Sequence, residues 1–211
     1  MPKTAYHGGR PKYKGRSKKK KMNPLAIIIP AAVLALGLLL AGGGYVFAST
    51  QEENNSFCAS CNTQPESTYY QRFQVTAAVD LASDHAQKAA TKCIDCHSGT
   101  GFGGRLSAIL LGARNAAAWF SHTAVQPAPQ TVPIKDDNCL KCHQDVTSQT
   151  LGNNHFHGFL SRWQAADPNA ATCVSCHPGH ATDGLADQAF LNQARVQTVC
   201  GDCHSVLGGG G

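Results

Sequence analysis

The sequence predicts a mainly α-helical and irregular fold with one N-terminal transmembrane helix and little or no β-sheet. Three observations predict it. Leu25 to Ala48 is a run without a single charge, no region alternates apolar and polar residues convincingly at period two, and all ten cysteines stand in C-x-x-C pairs.

Residues 1–24 carry nine Lys and Arg and no acid, whereas residues 49–211 set the other nine basic residues against all 13 acids, a net of 9 − 13 = −4. The overall +5 therefore belongs to a tail next to an apolar span, which excludes a basic nucleic-acid-binding surface. The span itself, LAIIIPAAVLALGLLLAGGGYVFA, would run about 36 Å as a helix, enough for a hydrocarbon layer about 30 Å thick. Val46-Phe47-Ala48 resembles a signal-peptide cleavage site, but signal cores are typically about 7–15 residues, so an uncleaved anchor is expected. The positive-inside bias predicts a cell-membrane protein with residues 1–24 cytoplasmic and 49–211 on the periplasmic, extracytoplasmic side. The Lys run is expected to hold to anionic membrane lipid. Pro30 and Gly42-Gly43-Gly44 suggest a kinked or closely packed helix.

Beyond the span, Leu, Ile, Val, Phe and Met make up only 29 of 163 residues, too few for an ordinary apolar core. The same stretch holds every cysteine and nine of the ten histidines, so its interior must be filled by disulfides, metals or a cofactor. The cysteine pairs are Cys58/Cys61, Cys93/Cys96, Cys139/Cys142, Cys173/Cys176 and Cys200/Cys203, and four of them are followed at once by His97, His143, His177 and His204. Two thiols three residues apart on a helical turn reach both vinyl groups on one side of a haem, and the next residue turns its imidazole towards the iron. Zinc ribbons would use two pairs per ion, leave one pair over and give the repeated His no task. A thioredoxin-like pair occurs once, and a disulfide framework does not explain the His periodicity. Covalent haem c is thus expected at CIDCH, CLKCH, CVSCH and CGDCH.

His85, His122, His155, His157 and His180 are the candidate second axial ligands. No Met lies beyond Met22, so His/Met ligation within the chain is excluded, and low-potential bis-His iron is expected. The pair in FCASCN has Asn62 in the His position. It forms either a Cys58–Cys61 disulfide, free thiols, or a fifth haem site served by the ninth His.

The anchor, FCASC close behind it, His85 eight residues ahead of Cys93, and NNHFH ahead of TCVSCHPGH resemble the membrane-anchored multihaem quinol cytochromes of the NapC/NirT type. The resemblance covers Leu25 to His180. It implies that Cys58 and Cys61 hold a quinol-side haem, that His97, His143 and His177 are proximal ligands, and that His85 is a distal one. Asn62 and Gln64 depart from that pattern, and Cys200-Gly-Asp-Cys-His204 exceeds its four motifs. One anchor with five C-x-x-C pairs also resembles the pentahaem subunit of alternative complex III. The implied partners are quinol, directly or through another subunit, the remaining subunits of an electron-transfer complex, and a cytochrome or other redox-protein acceptor. No catalytic group stands out: there is no phosphate loop, acid/base carboxylate pair or Ser/His/Asp arrangement.

The remaining organisation reads as a membrane-proximal haem module over 49–125, a Pro-rich connector over 126–135 and a distal haem module over 136–211. Leu106, Ile109, Leu110, Ala113, Ala116, Ala117 and Phe120 recur at helical spacing, predicting a helix over 104–123. Its apolar face would cover haem edges, or lie on the membrane surface with Arg105 and Arg114 at headgroups and Arg114 or Asn115 near a quinol. A second helix is predicted over 182–198, capped near Thr182 or Asp183, with Trp119 and Trp163 packing on haem and Gly208–Gly211 as a flexible end.

Overall fold

The computed structural model describes residues 23–130, 132–148 and 155–207. The basic tail through Met22 and the end Gly208–Gly211 lie outside the described residues. The fold is mainly α-helical, as the sequence predicts. Among the described residues no strand forms, and Leu185 and Leu191 make a lone antiparallel bridge.

Helix α1, Leu25–Gln51, is 27 residues long. At 1.5 Å per residue it spans about 40 Å, and it is long and apolar enough to cross a membrane. None of its residues is buried, so its Leu and Ile side chains face outwards. It continues through Pro30, and a Cβ built at Gly42, Gly43 or Gly44 would meet nothing within 4 Å. The chain divides into one unit ending at Gly43 and a second, compact unit over residues 44–211.

The second unit is built from short helices. They are α2 (Asn55–Cys58), α3 (Glu66–Phe73), α4 (Leu81–Ala89), α5 (Cys93–His97), α6 (Gly101–Phe120), α7 (Asp136–Leu140), α8 (His155–Ala166), α9 (Cys173–Cys176) and α10 (Gln193–Leu207). Four-residue helices are too short to hold themselves together, because nucleation costs more than one turn returns. Tertiary contacts hold α2, and capping boxes help at the starts of α4 and α9. The Asp80 carboxylate accepts the Ser83 N–H at 2.8 Å and the Ser83 hydroxyl accepts the Asp80 N–H at 3.1 Å, closing a capping box at the start of α4. Thr172 and Ser175 form the same arrangement at α9.

The apolar core is small, as the aliphatic count requires. Leu160, Trp163, Ala171, Cys176 and Val199 form it, with Phe156, Leu191 and Val196 packed around them, where α8, α9 and α10 meet. Trp163 is 2% exposed and fills the centre. Helix α6 lies close to the predicted 104–123 but has no buried residue. Phe102, Leu110 and Phe120 on it are 78%, 60% and 74% exposed.

The helix expected over 182–198 does not form there. Residues 182–192 make a loop with one 3-10 turn at Ala186–Gln188, and the helix runs from Gln193 to Leu207. The Asp183 carboxylate is occupied by the Arg195 guanidinium at 2.7 Å and by Asn192 Nδ2 at 3.3 Å. Asn192 takes the capping place, its Oδ1 accepting the Arg195 N–H at 3.1 Å. At Gly184 a Cβ would stand 2.0 Å from the Phe190 carbonyl oxygen, so only glycine lets the loop close.

Candidate functional site

The five C-x-x-C segments start in or lie within α2, α5, α7, α9 and α10, and these helices pack in succession: α2 on α5, α5 on α7, α7 on α9 and α9 on α10. A repeated device joins two of the steps. Asn55, three residues before Cys58, accepts the Cys93 N–H on its Oδ1 at 2.9 Å. Asp136, three residues before Cys139, accepts the Cys173 N–H at 2.7 Å. In each case the amide of the next motif's first cysteine, which a helix start leaves without an intrahelical partner, is satisfied by the motif before it. Between these steps, Lys141 Nζ donates to the Asp95 carbonyl oxygen at 2.9 Å and to Ser98 Oγ at 3.0 Å, tying α7 to α5.

The two thiols of a pair lie within one helix at three of the five pairs. Cys93/Cys96, Cys173/Cys176 and Cys200/Cys203 each lie on a single helix. Cys142 does not: α7 ends at Leu140, and Cys142 falls in the turn beyond it, exposed, while Cys139 stays on the helix and is half-buried. The N-cap position of α7 is Lys135, which has no side-chain acceptor, so the helix has no side-chain cap; the Asp136 carboxylate reaches Cys173 and Gln164, and Lys141 past the other end reaches across to α5. A single turn still links the two thiols, because the Cys142 and His143 N–H groups both donate to the Cys139 carbonyl oxygen, at 3.2 and 3.0 Å. Cys61 likewise lies past the end of α2, whose last residue is Cys58.

The thiols follow the same order as the helices. A hydrogen bond between Cys58 and Cys93 holds the first below its ordinary pKa and, together with burial, pushes the second up. The equivalent bond with Cys173 lowers Cys139 to about 7, and Cys173 is raised. Among the described residues all ten cysteines are free thiols.

The histidines form four pairs. His97 faces His180 with ring centroids 6.3 Å apart, His85 faces His143 at 6.0 Å, His157 faces His177 at 6.3 Å, and His155 faces His204 at 6.2 Å. Each pair joins one histidine that follows a C-x-x-C to one of the five other candidates. The ring planes are nearly parallel in the His97–His180 and His157–His177 pairs, at 14° and 18°, and nearly perpendicular in the other two, at 72° and 69°. His122 is the ninth and belongs to no pair.

Two rings are oriented by their Nδ1 atoms. His85 Nδ1 lies 2.9 Å from the Leu81 carbonyl oxygen and His177 Nδ1 lies 3.2 Å from that of Ala189. A proton on Nδ1 shared with a carbonyl leaves the Nε2 lone pair free to bind a metal. Burial and the neighbouring His180 hold His97 below its ordinary pKa, and burial with His177 does the same to His157, favouring the neutral ring that a ligand must be.

His180 reaches its partner from the far half of the sequence. Ala82 N–H donates to the Gly179 carbonyl oxygen at 2.9 Å, Arg72 Nη1 donates to the His180 carbonyl oxygen at 3.2 Å, and the Tyr69 ring stacks on the imidazole at 4.0 Å. Asp80, buried, places its carboxylate 3.9 Å from His180 Nδ1. Burial works to raise that carboxyl, and the contacts from His180 and Ser83 outweigh it and leave it below the ordinary range.

Sequence reasoning names all nine histidines but not their pairing, and it misses the residues that set them. Asn55 and Asp136 carry a signal, an Asx residue three positions before a C-x-x-C, seen twice. Tyr69, Asp80 and Arg72 carry none, because they act on a residue about a hundred positions away. Trp163 packs in the apolar core, while Trp119 donates its indole N–H to the Cys61 carbonyl oxygen at 3.1 Å.

Among the described residues no three His, Cys, Asp or Glu side chains converge on one point. Each histidine pair thus offers two donors to an ion between its rings. Comparisons with protein-family models, with curated proteins and with solved structures return no match.

Proposed function

We propose that the chain is a membrane-anchored multihaem cytochrome c. It relays electrons from the quinol pool, or from a quinol-oxidising subunit, to an acceptor on the extracytoplasmic side, as a subunit of an alternative-complex-III-like assembly. The single observation that carries this reading is the fourfold pairing of histidines. Metal–imidazole bonds of about 2 Å, and about 1.1 Å from nitrogen to ring centre, separate two trans imidazoles on one ion by about 6.3 Å between centroids. The four pairs stand at 6.0–6.3 Å. With two protein donors per ion, the other positions are left to a macrocycle, and two thiols beside each motif histidine are the groups that bond a macrocycle covalently.

On this reading His97/His180, His143/His85, His177/His157 and His204/His155 are the axial ligands. Cys93/Cys96, Cys139/Cys142, Cys173/Cys176 and Cys200/Cys203 make the thioethers, and Cys58/Cys61 attach a fifth haem. Haem held between two imidazoles supplies one-electron exchange at low potential. The rest falls to the chain. Asn55, Asp136 and Lys141 keep consecutive motifs in contact, so that neighbouring sites are adjacent in the order in which they occur in the sequence. Backbone carbonyls at Leu81 and Ala189 fix ring orientation, and the Asp80 carboxylate stands 3.9 Å from His180 Nδ1, the nitrogen that does not bind the metal on this reading. The basic tail and α1 place the first motif within about ten residues of the bilayer.

The test is a count and a partner search on protein extracted gently from its native membrane. Intact mass after denaturation should show covalent haem, five per chain, and the co-purifying chains should include an iron–sulfur or multi-helix quinol subunit. A haem-free chain overturns the reading. A chain that purifies alone and is reduced directly by a quinol favours instead a quinol dehydrogenase of the NapC/NirT type.

A further inference from the structure

We infer that His122 is the iron ligand of the haem attached at Cys58 and Cys61, the site whose own motif lacks a histidine. The inference rests on the five-haem reading above.

Eight of the nine histidines beyond the tail are taken in pairs, and His122 is the one left. It is also held beside the site in question. Trp119, three residues before it, donates to the Cys61 carbonyl oxygen at 3.1 Å. Gln126, four residues after it, accepts the Gln64 N–H on Oε1 at 2.7 Å, and Ala128 N–H donates to the Gln64 carbonyl oxygen at 2.6 Å. The stretch that carries His122 is therefore bonded on one side to Cys61 of the thiol pair and on the other to Gln64, three residues beyond it.

The backbone supports the same assignment. Asn62 has φ 52°, in the left-handed region, whereas none of the four motif histidines has positive φ. The position after Cys61 is thus turned away from the course that the other motifs follow, and the site needs a ligand from another segment. His122 itself has φ 58° at the end of α6, where glycine or asparagine usually stands. That conformation is maintained by the His122 N–H donating to the Trp119 carbonyl oxygen at 3.0 Å, and by Thr123 and Ala124 N–H donating to that of Ala118 at 2.9 and 3.1 Å. The His122 ring is exposed and accepts or donates no hydrogen bond among the described residues, so it is free to meet a ligand-binding iron.

Sub-stoichiometric nitric oxide added to the reduced full-length protein tests this. It binds the one iron with an open position. In the wild type the paramagnetic resonance lines should be split by two nitrogens, the nitrosyl and the imidazole trans to it. In His122→Ala the second splitting should vanish, with the haem count unchanged, and free imidazole should restore it. If His122→Ala fails to accumulate, His122→Met serves: a thioether sulfur trans to the nitrosyl carries no nuclear spin, so the second nitrogen splitting should again vanish. Five haems with unchanged splitting in His122→Ala, or in His122→Met, overturn the assignment alone. Four haems in the wild type overturn both it and the five-haem reading.

Discussion

Replacing His180 by alanine should alter one class of low-spin signal and leave the other untouched. When two imidazole planes on one iron are parallel, both π systems act on the same d orbital and split the pair strongly, giving a rhombic low-spin spectrum. Perpendicular planes act on different orbitals, leave the pair nearly degenerate and give a single broad low-field feature. The interplanar angles divide the four pairs evenly: 14° and 18° for His97–His180 and His157–His177, 72° and 69° for His85–His143 and His155–His204. On the proposed haem reading, each class contains two irons. His180→Ala leaves His97 without its partner, so half of the rhombic intensity should become high-spin while the broad feature keeps its full integral. His85→Ala should do the reverse, halving the broad feature alone. The assay is low-temperature electron paramagnetic resonance of the fully oxidised protein, integrated against a copper standard. Both variants should retain the haem count of the wild type, because thioether attachment uses only the cysteines. If His180→Ala drew intensity from the broad feature, or if both variants depleted the same signal, the pairing derived from the ring geometry would be wrong.

Two further outcomes follow from the packing. Because the apolar core comprises little more than Leu160, Trp163, Ala171, Cys176 and Val199, the chain made without haem attachment should be protease-sensitive beyond α1 and show no cooperative melt; a sharp transition in that form would refute it. Asp136→Ala removes the acceptor of the Cys173 N–H and of Gln164 Nε2, both at 2.7 Å, and should cost about 2–4 kcal/mol in urea unfolding, whereas the exposed neighbouring Asp137→Ala should stay within about 0.5 kcal/mol; equal effects would deny Asp136 its bridging role.

What the sequence discloses and what it hides follow from the range of the interactions. Helix α1 is legible because a run without charge has one stable form in a bilayer, and α6 is legible because its apolar residues recur over five turns. The motif histidines are legible because their role is written into adjacent residues. The start of α10 is not, because Asp183 looks like a cap locally, yet its carboxylate is taken by Arg195 across the loop, and Asn192 caps instead. The exposed turn at Cys142 is hidden for the same kind of reason, since the side chains flanking α7 bond to α9 and α5 and not to α7 itself. The choice of partner for each motif histidine is settled by contacts such as Tyr69 on His180, which no local pattern announces.

The crossed pairing of His85 with His143 and of His97 with His180 has a consequence for how the chain is made. Synthesis delivers residues in order, and the segment carrying His180 emerges 180 − 97 = 83 residues after His97. During that interval the second motif already has its thiols and one imidazole, but the ring that faces His97 is absent and the turn that carries it has not yet bonded to Ala82 and Arg72. The third motif, by contrast, meets a waiting ligand, since His85 precedes His143 by 143 − 85 = 58 residues. Completion is therefore out of register with translation: the second site closes only after the third and fourth motifs have been translated. A chain interrupted anywhere between Lys135 and Gly179 leaves the second site open however well the preceding residues have folded, so quality control acting on that open site would detect loss of the far half without ever contacting it.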